Sequence, residues 1–268
     1  MTTLQKAIKY LAMAFAVFLA VSIIGGILGA VGLIGGFFSG DAILEDVKTY
    51  SVVAEIRNLD IESNAADLSI KEGEAFSVES NLKHLKVEEY SGRLTIRETK
   101  KITGTYSGAV LTVYVPDGIV FDNVSLITGA SRLTIGHLSA GTLDFELGAG
   151  DASIDDLIAT READIEGGAG RITIADGALK NLDLEMGVGQ LNLTSALSGN
   201  CQLDLGIGES NITLLGSKEN YKLELEKGLG NISVDGVNVS DYGSSGNGEN
   251  KVEISGGIGS INVYFNEK

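Results

Sequence analysis

The 268-residue chain carries 36 acidic and 20 basic side chains, and its formal net charge of −16 argues against nucleic acid as a partner. A single cysteine, Cys201, excludes a disulfide framework within one chain, and two isolated histidines, His84 and His137, give little support to zinc or histidine-based catalysis. Abundant glycine (36 residues), one proline and no tryptophan indicate turns and extended chain rather than helices.

The N-terminal part of the chain has the pattern of a membrane anchor. Residues 10–38 contain no charged side chain, and about 20 such residues span a bilayer. Because this stretch is longer than the apolar core of a cleaved signal peptide, we predict an uncleaved signal anchor over residues 1–40, with one transmembrane α-helix. Lys6 and Lys9 precede the stretch, which predicts a cytoplasmic N-terminus and an extracellular C-terminal domain. Small residues at four-residue spacing would let two such helices pack closely, although glycine is also common in lone membrane helices.

The remainder of the chain divides into three predicted parts. Residues 41–57 form a linker that leads into a β-rich region. Residues 58–120 alternate like short, irregular strands, and residues 121–268 contain regular repeats. No composition break separates these two parts, so residues 58–268 are predicted to be one ectodomain.

A Gly-x-Gly motif marks the regular repeats. Successive second glycines lie 19 to 22 residues apart until a last step of 29, a period close to one coil of a β-solenoid. Its glycines are Gly148, Gly150, Gly168, Gly170, Gly187, Gly189, Gly206, Gly208, Gly228, Gly230, Gly257 and Gly259.

Apolar residues alternate on both sides of each motif, but their phase shifts across it. Leu182, Leu184 and Met186 precede Gly187 at a spacing of two, as in a strand with one buried face. We take Val188, between the two glycines, to point inward. The next inward residues then lie three and five positions after it. An odd offset within a strand would turn these residues outward, so the chain must be re-aimed once per repeat. Glycine permits such a corner, because it tolerates positive φ.

The spacing of the motif argues against a nucleotide-binding or a calcium-binding role. A dinucleotide fingerprint needs a third glycine followed by a helix, whereas Asn192 and strand-like sequence occupy those places. A calcium-binding nonapeptide roll needs a shorter repeat and an aspartate where Leu191 stands. We therefore predict an all-β fold, a single-stranded β-helix or β-solenoid of about seven coils.

Acidic side chains precede the corners in two columns. Two residues before each first glycine stand Glu146, Glu166, Glu185, Asp204 and Glu226, followed by Ser255 in the last repeat; we call this the first column. Four residues before it stand Asp144, Asp164, Asp183 and Glu224, with Gln202 and Glu253 completing the second column. One interpretation is a solvated face that keeps a β-rich protein soluble. The other is a surface for weak, multisite binding of divalent cations or of a basic partner.

The sequence resembles a bacterial putative-adhesin family of β-strand repeat proteins, a domain family of unknown function. The resemblance lies in NLDIESNAADLSIKEGEAFSVES (58–80), GRLTIRE (92–98), LTVYVPDGIVFDNVSLITGASRLTI (111–135) and ISGGIGSINVYF (254–265). It implies a membrane segment followed by an exterior β-solenoid, without catalytic residues. Some members are encoded near envelope-stress signalling systems.

The predicted function is therefore non-enzymatic, that of an acidic, single-pass cell-envelope protein with an adhesin-like or envelope-stress accessory ectodomain. Its predicted partners are the membrane, through residues 10–38, an envelope protein or polymer, and a second copy of the chain. No cofactor and no dedicated metal site are predicted beyond weak divalent-cation binding. A self-assembling envelope scaffold is an alternative. A polysaccharide-active β-helix enzyme is a remoter one, because Arg132 and Arg171 lie outside the acidic columns.

Overall fold

A computed structural model describes residues 44–99, 107–239 and 242–267. The all-β class is confirmed, since the only helix in these ranges is one 3-10 turn, Lys218–Asn220. No helix within them is long and apolar enough to cross a membrane. The predicted membrane segment, residues 10–38, lies outside the described residues.

Within these ranges, seventeen strands form one sheet. They are β1 (Leu44–Ser51), β2 (Asn58–Ser63), β3 (Asp67–Gly73), β4 (Ser77–Leu82), β5 (Leu85–Tyr90), β6 (Arg93–Glu98), β7 (Val110–Pro116), β8 (Phe121–Ala130), β9 (Leu133–Ile174), β10 (Gly177–Lys180), β11 (Leu182–Ser198), β12 (Asn200–Leu215), β13 (Tyr221–Glu226), β14 (Leu229–Val234), β15 (Val237–Asn238), β16 (Tyr242–Ser245) and β17 (Asn250–Asn266). β1 lies within the segment predicted as a linker.

Most of these strands stack as parallel rungs, where a rung is one turn of chain with a strand segment on each side of a corner. β11 pairs in parallel with β9 on one side and with β12 on the other, and glycine faces glycine at each corner. A third side of each turn is formed by short segments that also pair in parallel, at 157–159, 177–180 and 196–198. Each turn of the chain is thereby repeated one strand spacing, about 4.8 Å, further along the stack.

The alternation of apolar residues explains why the rungs stack. Side chains at equivalent inward positions form continuous columns in a single buried core. In one such column each side chain is no more than 1% exposed; it contains Ile165, Leu184, Leu203, Ile254 and Leu225. A rung alone could not bury its apolar face, so the core depends on neighbouring rungs.

The stack does not follow chain order at its C-terminal end. β17 lies between β12 on one side and β13 and β14 on the other. Ser255 therefore stands between Asp204 and Glu226, which corrects the order in which the sequence places the last two repeats. The 29-residue last step makes this inversion feasible, because it contains β15 and β16, which cover β14 and β13 in antiparallel pairing.

The N-terminal end is inverted in the same way. β2 and β3 pair in parallel with β8 and β9 on one side, and with β6 and β7 on the other. β5 and β4 then cover β6 and β7 in antiparallel pairing. Antiparallel strands thus meet the outermost rungs at both ends of the stack.

The corner glycines have two separate structural reasons. Five second glycines have φ between +137° and +148°, namely Gly150, Gly170, Gly189, Gly208 and Gly259. The first glycines do not share this φ, but a Cβ at Gly187 would overlap the carbonyl oxygen of Gly168 in the adjacent rung. Both positions therefore exclude larger residues.

A ladder of asparagines shows the rung order independently. Asn211 Nδ2 donates to Asn192 Oδ1 at 3.2 Å, and Asn262 Nδ2 donates to Asn211 Oδ1 at 3.0 Å. Ser233 Oγ then donates to Asn262 Oδ1 at 2.9 Å. The ladder passes from β12 to β17 before it reaches β14, in agreement with the strand pairing.

Candidate functional site

In-register pairing brings the two acidic columns together on one face. In-register pairing places Glu185 between Glu166 and Asp204, and Asp183 between Asp164 and Gln202. Adjacent carboxylates separated by one strand spacing repel by about 0.9 kcal/mol per pair in water, before salt screening. The face therefore opposes folding slightly rather than stabilising it.

Both ends of this face are neutralised by basic side chains. At one end Asp60 extends the second column, because it pairs with Ser125, which pairs with Asp144, and Arg93 contacts Asp60 at 2.5 Å. At the other end Lys222 and Lys251 contact Glu224 at 2.8 and 3.1 Å, and Lys251 also pairs with Glu253. Hydrogen bonds from Lys222 and then Lys251 lower the pKa of the Glu224 carboxyl to about 2. Sequence reasoning missed these cations, although both lysines precede a second-column acid by two residues.

The middle of the face has no such neutralisation. In the part of the chain that the structure describes, no basic side chain forms an ion pair with any of seven residues that we call the central carboxylates. They are Asp144, Glu146, Asp164, Glu166, Asp183, Glu185 and Asp204. Asp204 accepts a hydrogen bond from Gln202 at 2.8 Å. Partial burial, followed by repulsion from Asp183 and Asp144, raises the pKa of the Asp164 carboxyl.

A groove runs along the stack beside the first column. Its volume is about 770 Å³, and it crosses six rungs, from Thr128 to Ser255. Four central carboxylates line one side of it: Glu146, Glu166, Glu185 and Asp204. First corner glycines and apolar side chains, including Leu147, Met186 and Leu205, form the rest of the lining. The second column does not line the groove.

The middle residues of the corner motifs correct one sequence prediction. The apolar alternation places Val188 and its equivalents inward, but none of them is buried. Leu229 is 46% exposed, and Ile207 and Ile258 line the groove. The two corner glycines turn the backbone so that the residue between them lies at the outer bend. The sequence pattern does not reveal the apolar side of the groove, because it assigns these residues to the core.

The remaining candidate residues are engaged in local structure. Arg132 contacts Asp67 at 3.6 Å and Arg171 contacts Asp151 at 3.5 Å, so neither arginine lies beside the central carboxylates. Cys201 is 3% exposed, as predicted for a core thiol, and burial raises its pKa. Within the described ranges, no three His, Cys, Asp or Glu side chains are arranged to hold a metal ion.

The opposite pKa shifts of Asp164 and Glu224 predict opposite effects of pH. Because the folded-state pKa of Asp164 is raised, its charge lowers stability above that pKa, and Asp164→Asn should raise Tm at pH 7 slightly. This gain should shrink as the pH falls and the wild-type carboxyl takes up its proton. Glu224 has a lowered pKa, so Glu224→Gln should lower Tm at pH 7, and that loss should fade between pH 4.5 and about 2. Thermal unfolding of both variants across this pH range tests the prediction, and shifts of the same sign at pH 7 would contradict it.

Comparisons with known proteins give a family. The sequence profile of Toastrack DUF4097 matches residues 78–264. No curated protein matches the chain. Among solved structures, a putative cell adhesion protein from Clostridium sporogenes is 14% identical, with a TM-score of 0.36, over 82% of this chain and 99% of its own. A putative adhesin from Parabacteroides distasonis is also 14% identical, with a TM-score of 0.39, over 83% of this chain and 98% of its own. A putative lipid binding protein from the same species is 14% identical, with a TM-score of 0.31, over 81% and 96% of the two chains.

The family match covers more than half of the chain, from β4 to β17. It includes every Gly-x-Gly corner and both acidic columns. The resemblance to the putative-adhesin family, carried by the repeat motifs, is confirmed. The chain belongs to the Toastrack DUF4097 family.

Proposed function

We propose that the chain is a non-enzymatic, adhesin-like binding protein of the bacterial cell envelope. Its ectodomain is a β-solenoid, anchored by residues 10–38 and displayed outside the cell. The first-column members of the central carboxylates bind a cationic partner, such as a basic segment of an envelope protein or a basic polymer, and the second-column members add to the negative field that attracts it. The parallel, in-register rungs support the solenoid, and the charge pattern of residues 10–38 and their flanks supports the anchor.

One observation carries the binding role: the central carboxylates are unpaired within the described ranges, whereas acids at both ends of the same face are paired. The fold can evidently place a basic residue beside a column acid, as it does at Lys222 and Lys251. A face kept only for solubility would not need to concentrate seven carboxylates on adjacent rungs at the expense of stability. A cation arriving from outside would relieve their repulsion and gain several charge contacts at once.

Divalent cations should bind this face more weakly than a basic partner. Ca²⁺ takes six to eight oxygen ligands, and the carboxylates lie in rows instead of surrounding a point. We therefore propose weak, multisite Ca²⁺ binding that competes with a basic partner and does not define the function.

The test is binding of fluorescent poly-L-lysine, about 20 residues long, to the full chain in zwitterionic detergent. We expect saturable binding that weakens with salt, as charge contacts do. It should be reduced at least about tenfold in the triple variant Glu166→Gln, Glu185→Gln, Asp204→Asn, since three charge contacts are lost. Circular dichroism controls for folding and poly-L-glutamate controls for charge. Equal binding by the folded triple variant and the wild type would overturn the proposal.

A further inference from the structure

The groove beside the first column has two chemically different sides. Glu146, Glu166, Glu185 and Asp204 line one side, and Ile207 and Ile258 line the other side at the two rungs that contain Asp204 and Ser255. Between them lie glycines that can bear no side chain, because each first glycine faces a backbone carbonyl of the next rung. The groove is therefore open, amphipathic and continuous along the stack.

The spacing along the groove favours one conformation of ligand. Its four carboxylates repeat on successive rungs, about 4.8 Å apart. An extended peptide presents side chains on one face about 6.8 Å apart, and so falls out of step with the rungs after one or two contacts. An α-helix advances 5.4 Å per turn, so a stripe of side chains at i, i+4, i+7 and i+11 stays close to one carboxylate per turn over four rungs.

The length of the groove sets the length of helix. Six rungs span about 24 Å, which corresponds to roughly 16 helical residues. The groove volume of about 770 Å³ is too small to enclose such a helix, whose diameter with side chains is about 10 Å. It accommodates instead the side chains of one face of a helix that lies along the surface. That face would need basic residues on one flank and apolar residues on the other.

We propose that the groove is a docking site for a cationic amphipathic helix of about four turns, aligned with the stack axis. Basic side chains pair with Glu146, Glu166, Glu185 and Asp204, while apolar side chains pack against Met186, Ile207 and Ile258. This assignment rests on the proposed function and adds to it the conformation and orientation of the partner. It also distinguishes the two columns: the first contacts the helix, and the second contributes only its field.

The chain supplies a matched pair of variants for this distinction. Glu166→Gln with Glu185→Gln removes two carboxylates from the groove. Asp164→Asn with Asp183→Asn removes two carboxylates from the same rungs, two residues away, outside the groove. The two double variants have the same net charge, so a ligand held only by the general acidic field would lose equal affinity to both.

The test measures anisotropy of two labelled peptides of about 16 residues and identical composition, added to the full chain in zwitterionic detergent. One has a lysine stripe beside a leucine stripe at helical spacing, and the other has the same residues reordered without a stripe. We expect the striped peptide to bind about tenfold more tightly than the reordered one, because only it brings leucines and lysines to the groove together. We expect this preference to be lost in Glu166→Gln with Glu185→Gln, and in Ile207→Ser with Ile258→Ser, but retained in Asp164→Asn with Asp183→Asn.

Each contrary outcome identifies what has failed. Equal affinity of the wild type for both peptides would overturn the helix proposal, and this comparison does not depend on any variant being folded. Equal weakening by the two carboxylate pairs would also overturn it, while leaving the proposed cationic partner in place. Binding of neither peptide and no binding of poly-L-lysine would overturn both.

Discussion

Gly189→Ala should lower the free energy of unfolding by about 4 kcal/mol or more, enough to leave little folded protein in a domain of ordinary stability. Gly189 has φ of +148°, a conformation that side chains with a Cβ rarely adopt. A Cβ there would also overlap the carbonyl oxygen of Gly170 in the adjacent rung. A rotamer change relieves neither problem, because the first is a backbone torsion and the second is an overlap with a backbone atom. Chemical denaturation followed by circular dichroism measures the effect.

Two glycines outside the corners give matched controls. Gly118 has φ of +73°, but a Cβ at this position would meet no atom within 4 Å, so Gly118→Ala should lose only about 1 kcal/mol from its backbone conformation. Gly136 has open space and no positive φ, so Gly136→Ala should change stability by less than about 0.5 kcal/mol. Similar unfolding free energies for Gly189→Ala and Gly118→Ala would contradict the structural role assigned to the corners.

Ending the chain after residue 249, which removes β17, should unfold more of the stack than its position in the sequence suggests. β17 contributes four buried side chains, Val252, Ile254, Ile261 and Val263, worth roughly 6–12 kcal/mol of apolar burial together. Its loss also leaves β12 on one side, and β13 and β14 on the other, without their parallel partner. We therefore expect β13 and β14 to lose protection from hydrogen exchange, although they precede the deletion.

The rungs further from the deletion should behave differently. In a stack whose rungs contact only their neighbours, unfolding at one end need not spread to the other. Amides at 121–154 should therefore keep most of their protection. A chain that ends after Asn266 retains β17 and serves as the control. Wild-type protection at 221–234 in the chain that ends after residue 249 would contradict the inserted position of β17.

Much of the fold follows from local patterns in the sequence. A period of two with one phase shift per repeat is enough to predict strands, corners and stacked columns. The inward column through Leu184 and Leu203, the buried Cys201 and the glycine corners all follow from it. The acidic face is predictable for the same reason, since outward positions alternate with inward ones.

The order of the rungs does not follow from these patterns. Every rung presents the same inward and outward alternation, so β13 and β17 are each able to pair with β12 by hydrophobic pattern alone. The inversion depends on the long segment between residues 234 and 250. This segment is long enough for β17 to lie next to β12 instead of at the end of the stack, but its length alone does not impose that order. The hydrogen-bonded ladder follows the observed rung order, through Asn192, Asn211, Asn262 and Ser233. The sequence alone does not give the order of these four residues in the ladder.

The sequence pattern does not predict the groove, because each corner turns outward a residue that the alternation places in the core. Ile207 and Ile258 are apolar and follow an inward residue at even spacing, so alternation assigns them to the core. The positive φ of the following glycine displaces them to the outer bend. That displacement, and not the acidic pattern, turns a flat charged face into a groove with an apolar side.

The most direct test concerns the position of Ser255 between Asp204 and Glu226. Both the groove and the core depend on this order of the rungs. In a Cys201→Ala background, Asp204→Cys with Ser255→Cys places two thiols on adjacent rungs, about 4.8 Å apart at Cα. Asp204→Cys with Glu226→Cys places them two rungs apart, about 9.6 Å, beyond the reach of a disulfide. We predict that mild oxidation closes a disulfide in the first pair and not in the second. A disulfide in the second pair and none in the first would show that the rungs follow chain order and would contradict the inserted position of β17.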